Sequence, residues 1–191
     1  MSAGRVVENA STGERIVVLR TAAETAGELL EFELRLAPGG HVPSGHVHPE
    51  QEETFTVLEG QARFRLGRRT RIAKGGDTVV VRPGKAHHFS NPGPGPTRLL
   101  VQVRPALQME DLLVTAAALT RDRRGRLAGQ PRLLDLVFFL REFEREVRAP
   151  LVPGPLLRAA TRTLAWLAGW AGRGAHYRRL RAARGAGAGD H

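Results

Sequence analysis

Hydrophobic and polar residues alternate along much of the first hundred positions. In the run LEFELRL, Phe32, Leu34 and Leu36 alternate with charged residues, which is typical of a strand with one buried face. Similar short runs, bounded by Gly- and Pro-rich turns, occur at 15–20, 62–66, 78–81 and 99–104. Regularly spaced strands with turn residues between them predict an all-β sandwich or barrel.

The hydrophobic period changes after Pro105. Residues 107–119 are rich in helix formers, and in 131–148 the apolar residues recur at steps of three and four, as on one face of a helix. Residues 131–148 form the second predicted helix. We expect its charged residues, which include Asp135 and Glu146, on the opposite, solvated face.

A third helix is predicted to start near Pro155. Its apolar residues form one stripe, which we expect to pack on the barrel or across a dimer interface. The stripe consists of Leu156, Leu157, Ala160, Leu164, Leu167 and Ala171. We therefore divide the chain into a β-barrel (1–106), a helical extension (107–171) and a disordered tail (172–191).

Candidate chemistry is concentrated between Gly40 and Gly60. His46 and His48 are two residues apart, so in an extended chain both imidazoles point to the same side. Pro49 turns the chain, and Glu53 then returns a carboxylate toward that side. Two nitrogens and one oxygen suit Fe, Mn, Ni, Cu or Zn better than Ca or Mg. The sequence therefore predicts a transition-metal site.

At this point the chain resembles the cupin superfamily, over residues of about 34–105. The first cupin motif is matched by Gly40, His46, His48, Glu53 and Gly60, and the second by Gly84, His87 and Asn91, although Arg82 replaces its usual first proline. The resemblance implies a mainly β fold, a double-stranded β-helix or jelly-roll barrel. It also implies that His87 joins His46, His48 and Glu53 as a metal ligand. We expect His41 in a solvated loop and His88 on the opposite side of its strand.

Alternation along the strands predicts an apolar lining for the barrel. The predicted substrate pocket consists of Phe55, Val57, Phe64, Leu66, Val79, Val81 and Phe89. One hypothesis is a dioxygenase-like, metal-dependent oxidoreductase that acts on a small hydrophobic organic molecule. The alternative is a non-catalytic cupin that binds or senses a metal or small molecule, because this fold serves both classes. No catalytic acid or base is evident in the sequence.

Composition narrows the remaining choices. The chain has no cysteine, which excludes disulfides and thiolate ligands, and we expect a cytoplasmic protein because no secretory signal is evident. The net charge is +10, made up of 14 basic and 11 acidic residues in 1–106 and 15 and 8 in 107–191. No nucleic-acid-binding motif accompanies this charge. We expect a homodimer, and peripheral membrane contact through the C-terminal helix is the less favoured alternative.

Overall fold

The computed structural model of the protein describes residues 3–9, 12–42, 45–121, 133–150, 154–170 and 174–186. Within these ranges the chain forms nine strands followed by four helices. The strands are β1 (Val6–Asn9), β2 (Glu14–Arg20), β3 (Leu30–Leu36), β4 (Glu52–Glu59), β5 (Gln61–Leu66), β6 (Arg69–Lys74), β7 (Thr78–Val81), β8 (His87–Ser90) and β9 (Thr97–Arg104). The helices are α1 (Met109–Arg121), α2 (Leu133–Glu142), α3 (Gly154–Trp170) and α4 (Ala175–Ala186).

The strands form two antiparallel sheets. The larger sheet has the order β1-β2-β3-β9-β4-β7 and the smaller has the order β6-β5-β8. Alternate residues of each strand enter the core, and in β9 Leu99, Val101 and Val103 are fully buried. The predicted fold class, a mainly β jelly roll with a C-terminal helical extension, is confirmed. The predicted runs correspond to β2, β3, β5, β7 and β9, whereas nothing in the sequence pattern indicated β1, a run of four residues.

The segment that precedes β4 lies alongside β8. Backbone bridges pair His41 with Ser90 and His46 with His87. This pairing brings the first histidine motif next to the second. The turn after β4 depends on Gly60, which has φ of 76° and where a Cβ would lie 2.7 Å from the Pro96 carbonyl oxygen.

The helical extension is attached to the barrel beside this motif. The segment after α2 runs antiparallel to the motif, and two backbone hydrogen bonds of 3.0 and 2.9 Å join Val47 and Arg148. The guanidinium of Arg145 donates two hydrogen bonds to one oxygen of Glu50, at 2.7 and 3.0 Å. At the start of the extension, Glu110 accepts a hydrogen bond of 2.6 Å from the Ala22 backbone.

Two acidic residues that the helical pattern placed on a solvated face are buried. Asp135 accepts a hydrogen bond from Nδ1 of His176 at 2.9 Å, and Glu146 accepts one from the backbone N–H of Gln108 at 3.1 Å. The prediction was wrong for these residues because α2 ends at Glu142 and because a fourth helix covers its other side. The predicted helix start at Pro131, like most of the loop before it, lies outside the described residues.

The stripe of α3 does not pack on the barrel, which was one of its two predicted positions, and its predicted place in a dimer interface stays a prediction. This helix contacts α2 with its small residues Thr161, Ala165 and Ala168, which are buried. Its leucine stripe is exposed instead, although the side chain of Leu157 and all of Ala171 lie outside the described residues. Periodicity identifies an apolar face, but it does not identify what covers that face.

Within the segment that was predicted to be a disordered tail, Ala175–Ala186 form α4. The Tyr177 hydroxyl donates a hydrogen bond of 2.6 Å to Glu142, and the Tyr177 ring stacks on Phe138 at a centroid distance of 5.7 Å. These contacts dock a helix whose arginine-rich composition gave no sign of a partner. The last five residues of the chain lie outside the described ranges.

Replacing Tyr177 by Ala tests this docking. We expect the free energy of unfolding to fall by about 3 kcal/mol, because a buried ring and its hydrogen bond are lost. Urea denaturation measures the change, and Arg179→Ala, at an exposed position of the same helix, is the matched control. Equal stability of both variants and the unmodified protein would show that α4 is not docked.

Candidate metal centre

Four side chains from separate segments meet at one point of the barrel. Each of His46, His48, Glu53 and His87 offers a ligand atom, and these atoms all lie within 4.8 Å of one another. His48, Glu53 and His87 are 3%, 6% and 2% exposed, whereas His46 is half-buried. Register explains part of this convergence, since β4 places Glu53 at its buried start and the bridge from His46 to His87 aligns the two motifs.

The tautomers of two histidines are fixed by backbone carbonyls. Nδ1 of His48 is in hydrogen-bond contact with the carbonyl oxygen of Glu146, and Nδ1 of His87 lies 3.2 Å from that of Lys85. A carbonyl oxygen only accepts hydrogen bonds, so each Nδ1 must carry the hydrogen. In the neutral form of each ring, Nε2 therefore presents a lone pair.

These lone pairs face the carboxylate of Glu53. Oε2 of Glu53 lies 2.9 Å from Nε2 of His87 and 3.3 Å from Nε2 of His48, yet neither contact is aligned as a hydrogen bond. All three atoms are buried and have no hydrogen-bond partner among the described residues. Because acceptor atoms repel one another when nothing positive lies between them, this arrangement favours a proton or a metal ion between the three atoms.

The electrostatics of the site lead to the same conclusion. Burial disfavours a charge on Glu53, but the imidazoles of His48 and His87 outweigh it and hold the pKa of Glu53 well below its usual range. Burial also disfavours protonation of His48, yet the Glu53 carboxylate raises the pKa of that imidazole. The site therefore keeps a negative carboxylate and attracts either a proton or a metal ion.

The residues present fit a divalent transition metal. Three imidazole nitrogens and one carboxylate oxygen form a donor set of intermediate softness, which suits Fe, Mn, Ni, Cu or Zn. Carbonyl acceptors on the outer nitrogens of His48 and His87 are the usual support of metal-binding histidines. The structure thus brings the four predicted ligands together, and the identity of the metal stays open.

The family comparison agrees with this geometry. Residues 32–103 match the family model described as the cupin domain. This matched region, which is less than half of the chain, is similar to cupin domains and contains all four residues of the cluster. No curated protein matches the chain.

Several solved structures are similar to part of the chain. A double-stranded β-helix protein from Klebsiella pneumoniae is 27% identical, with a TM-score of 0.46 over 56% of this chain and 90% of its own. A predicted oxalate decarboxylase from Thermotoga maritima is 22% identical, with a TM-score of 0.46 over 48% of this chain and 80% of its own. A cupin sugar phosphate isomerase from Silicibacter pomeroyi is 25% identical, with a TM-score of 0.42 over 48% of this chain and 59% of its own.

The candidate metal cluster lies at the side of a cavity of about 440 Å³. His46, His48 and Glu53 line it, together with barrel residues such as Phe32 and Phe55. Its other wall belongs to the helical extension, chiefly through Met109, Leu112, Leu113, Ala116, Leu136 and Phe139. The cavity is therefore shared between the barrel and the helices.

Two of the seven residues that were predicted to form the substrate pocket lie at the cavity. Phe55 and Phe89 line the cavity. The other five pack in the core away from the cavity, and they are Val57, Phe64, Leu66, Val79 and Val81. Inward alternation identified buried positions, but the lumen of this small barrel is filled by side chains, so the space lies nearer its mouth.

The cavity also has a polar part that the sequence did not reveal. Oε2 of Glu14 accepts hydrogen bonds from Thr12 Oγ1 at 2.5 Å and from Asn9 Nδ2 at 3.3 Å, and all three residues line the cavity. Burial raises the pKa of Glu14. His41 is exposed at the edge of the cavity, and His88 is half-buried and does not line it. The sequence pattern did not indicate β1, the short strand that carries Asn9, and therefore gave no sign of this polar region.

Replacing His48 by Ala tests the metal centre. We expect the metal content of protein purified without a histidine tag to fall at least about tenfold, because one ligand and its carbonyl support are lost. Elemental analysis measures the stoichiometry, and circular dichroism checks that the barrel remains folded.

His88→Ala is the matched control, because His88 adjoins His87 but does not belong to the cluster. Stoichiometric metal in both variants would contradict the proposed ligand set. Loss of metal in both would show that folding, and not ligation, was affected.

Proposed function

We propose that the protein is a metal-dependent, dioxygenase-like oxidoreductase that acts on a small hydrophobic organic molecule. The observation that supports this function best is that residues of the metal-ligand cluster line the cavity. A three-histidine, one-carboxylate set, buried except for the half-buried His46, lies beside a partly open, mostly apolar cavity of about 440 Å³. That volume accommodates an organic molecule of moderate size.

The chain's own residues have separate roles in this proposal. His46, His48, Glu53 and His87 hold the metal, with the outer nitrogens of His48 and His87 kept in place by carbonyl groups. When bound, a divalent transition metal supplies a Lewis-acid and redox centre for O₂ and for an oxygen atom of the substrate. In a dioxygenase reaction both oxygen atoms enter the product, so the reaction needs no external reductant.

The cavity walls determine which substrates fit. Phe32, Phe55 and Phe89 from the barrel and Met109 from α1 bind a hydrophobic body and exclude bulk water. An aromatic or otherwise apolar substrate is therefore favoured. The helices α1 and α2 contribute to this selectivity as much as the barrel does, since they form the opposite wall.

Glu14 is the residue that we assign to a polar group of the substrate. Besides Glu53 it is the only carboxyl group among the described residues that line the cavity. Its Oε2 is already occupied by Thr12 and Asn9, so Oε1 is the atom available to a hydroxyl or amine of the ligand. The raised pKa of Glu14 also makes it the candidate for proton transfer in this cavity.

A second candidate function is a non-catalytic sensor. The contact from His48 to the Glu146 carbonyl, across 98 positions of the chain, favours it. A metal bound to His48 would alter the position of the segment around Glu146, which holds the helices to the barrel. The helical extension would then report the occupancy of the site to a partner.

An O₂-uptake assay tests the enzymatic proposal. After anaerobic loading with Fe(II), we expect uptake with at least one flavonoid, catechol or diketone of a broad panel. Ala116→Phe fills the cavity from α1 without touching a ligand, so kcat/KM should fall at least about tenfold while the metal content stays the same.

The matched control is Ala118→Phe, two residues along the same helix and outside the cavity lining. Binding of panel compounds without any O₂ uptake would contradict the enzyme and support the sensor. Equal loss of activity in both variants would show that the effect is not specific to the cavity.

A further inference from the structure

The helix α3 exposes its large hydrophobic residues. Leu156, Leu164, Trp166 and Leu167 are 64%, 47%, 67% and 47% exposed. A helix of a globular protein ordinarily buries such residues, because each one removed from water contributes to stability. Here the side that packs on α2 carries Thr161 and alanines instead.

The exposed residues form a continuous face. At about 100° per residue, Leu156, Leu164 and Leu167 fall within an arc of about 80°, and Trp166 lies at its flank. Between them are the exposed small residues Ala160 and Thr163. We call the four large residues Leu156, Leu164, Trp166 and Leu167 the α3 face. A contiguous apolar surface of this kind marks an interaction site.

The charged residues of the segment that carries this face have a single sign. Residues 151–189 contain seven arginines and no aspartate or glutamate, and the arginines are Arg158, Arg162, Arg173, Arg178, Arg179, Arg181 and Arg184. Arg162, Arg178 and Arg179 are exposed. A partner for this segment therefore needs an apolar layer that is covered by negative charge.

A second copy of the chain does not meet this requirement. In a twofold dimer the same surface faces itself, so the arginines of one helix pair would oppose those of the other. The homodimer that the sequence led us to expect stays a prediction, and it would use another surface. A spanning helix is not the answer either, since no described helix is long and apolar enough to cross a bilayer.

We propose that the α3 face binds the surface of an anionic lipid membrane. Leucine side chains and a tryptophan enter the boundary between headgroups and acyl chains, where tryptophan is preferred. The exposed residues Arg162, Arg178 and Arg179 remain among the headgroups and attract anionic lipid. The helix lies parallel to the surface, with Thr161, Ala165 and Ala168 on α2. This proposal is independent of the metal centre.

Vesicle co-sedimentation of the full chain tests the proposal. We expect binding to phosphatidylcholine vesicles that contain about one quarter phosphatidylglycerol, and weaker binding to pure phosphatidylcholine. Binding should decrease as NaCl rises from about 0.1 M to about 0.5 M, because salt screens the arginines. In a Trp170→Phe background, which leaves Trp166 as the one tryptophan, emission should shift to shorter wavelength with the anionic vesicles.

The double variant Leu164→Ser/Leu167→Ser should reduce the partition coefficient at least about tenfold, with an unchanged melting temperature. Leu58→Ser is the matched control, since Leu58 is an exposed leucine of the barrel strand β4. Absence of vesicle binding by the unmodified chain would overturn the proposal. A dimer in solution that the double variant dissociates would also overturn it, in favour of a second copy.

Discussion

The buried carboxylate of Glu53 is the constraint on which the site depends. Its oxygen faces Nε2 atoms of two histidines whose outer nitrogens are held by carbonyl groups, so three electron pairs point at one another inside the barrel. A cation between them removes the repulsion and uses every donor in the set. The fold therefore fixes protonation states as well as positions, and the cluster is organised for a metal ion.

The helical extension is part of this site. The carbonyl of Glu146 supports His48, the backbone of Arg148 pairs with Val47 between the first two histidines, and α1 and α2 close the cavity. Without α1 and α2 the cavity would lose one of its walls. The extension therefore supports His48 and lines the cavity, which connects the site to the packing of the C-terminal region.

Local patterns predicted the local features. Strand alternation indicated most strands, and the spacing of His46, His48 and Glu53 indicated the cluster, because both depend on chain geometry over a few residues. The role of Glu146, the exposed face of α3 and the order of α4 depend on which surfaces meet. Periodicity does not contain that information, and Glu146 in particular was expected in solvent because its position in a helical pattern is polar.

The claim that the extension completes the metal centre is tested most directly by metal affinity. Glu146→Ala removes the carboxylate that accepts the Gln108 N–H and loosens the turn whose carbonyl holds His48. Titration with a competing chelator should show binding weaker by about 10- to 100-fold, with Glu144→Ala in the same segment unchanged. Equal affinity of both variants and the unmodified protein would show that the helices take no part in holding the metal.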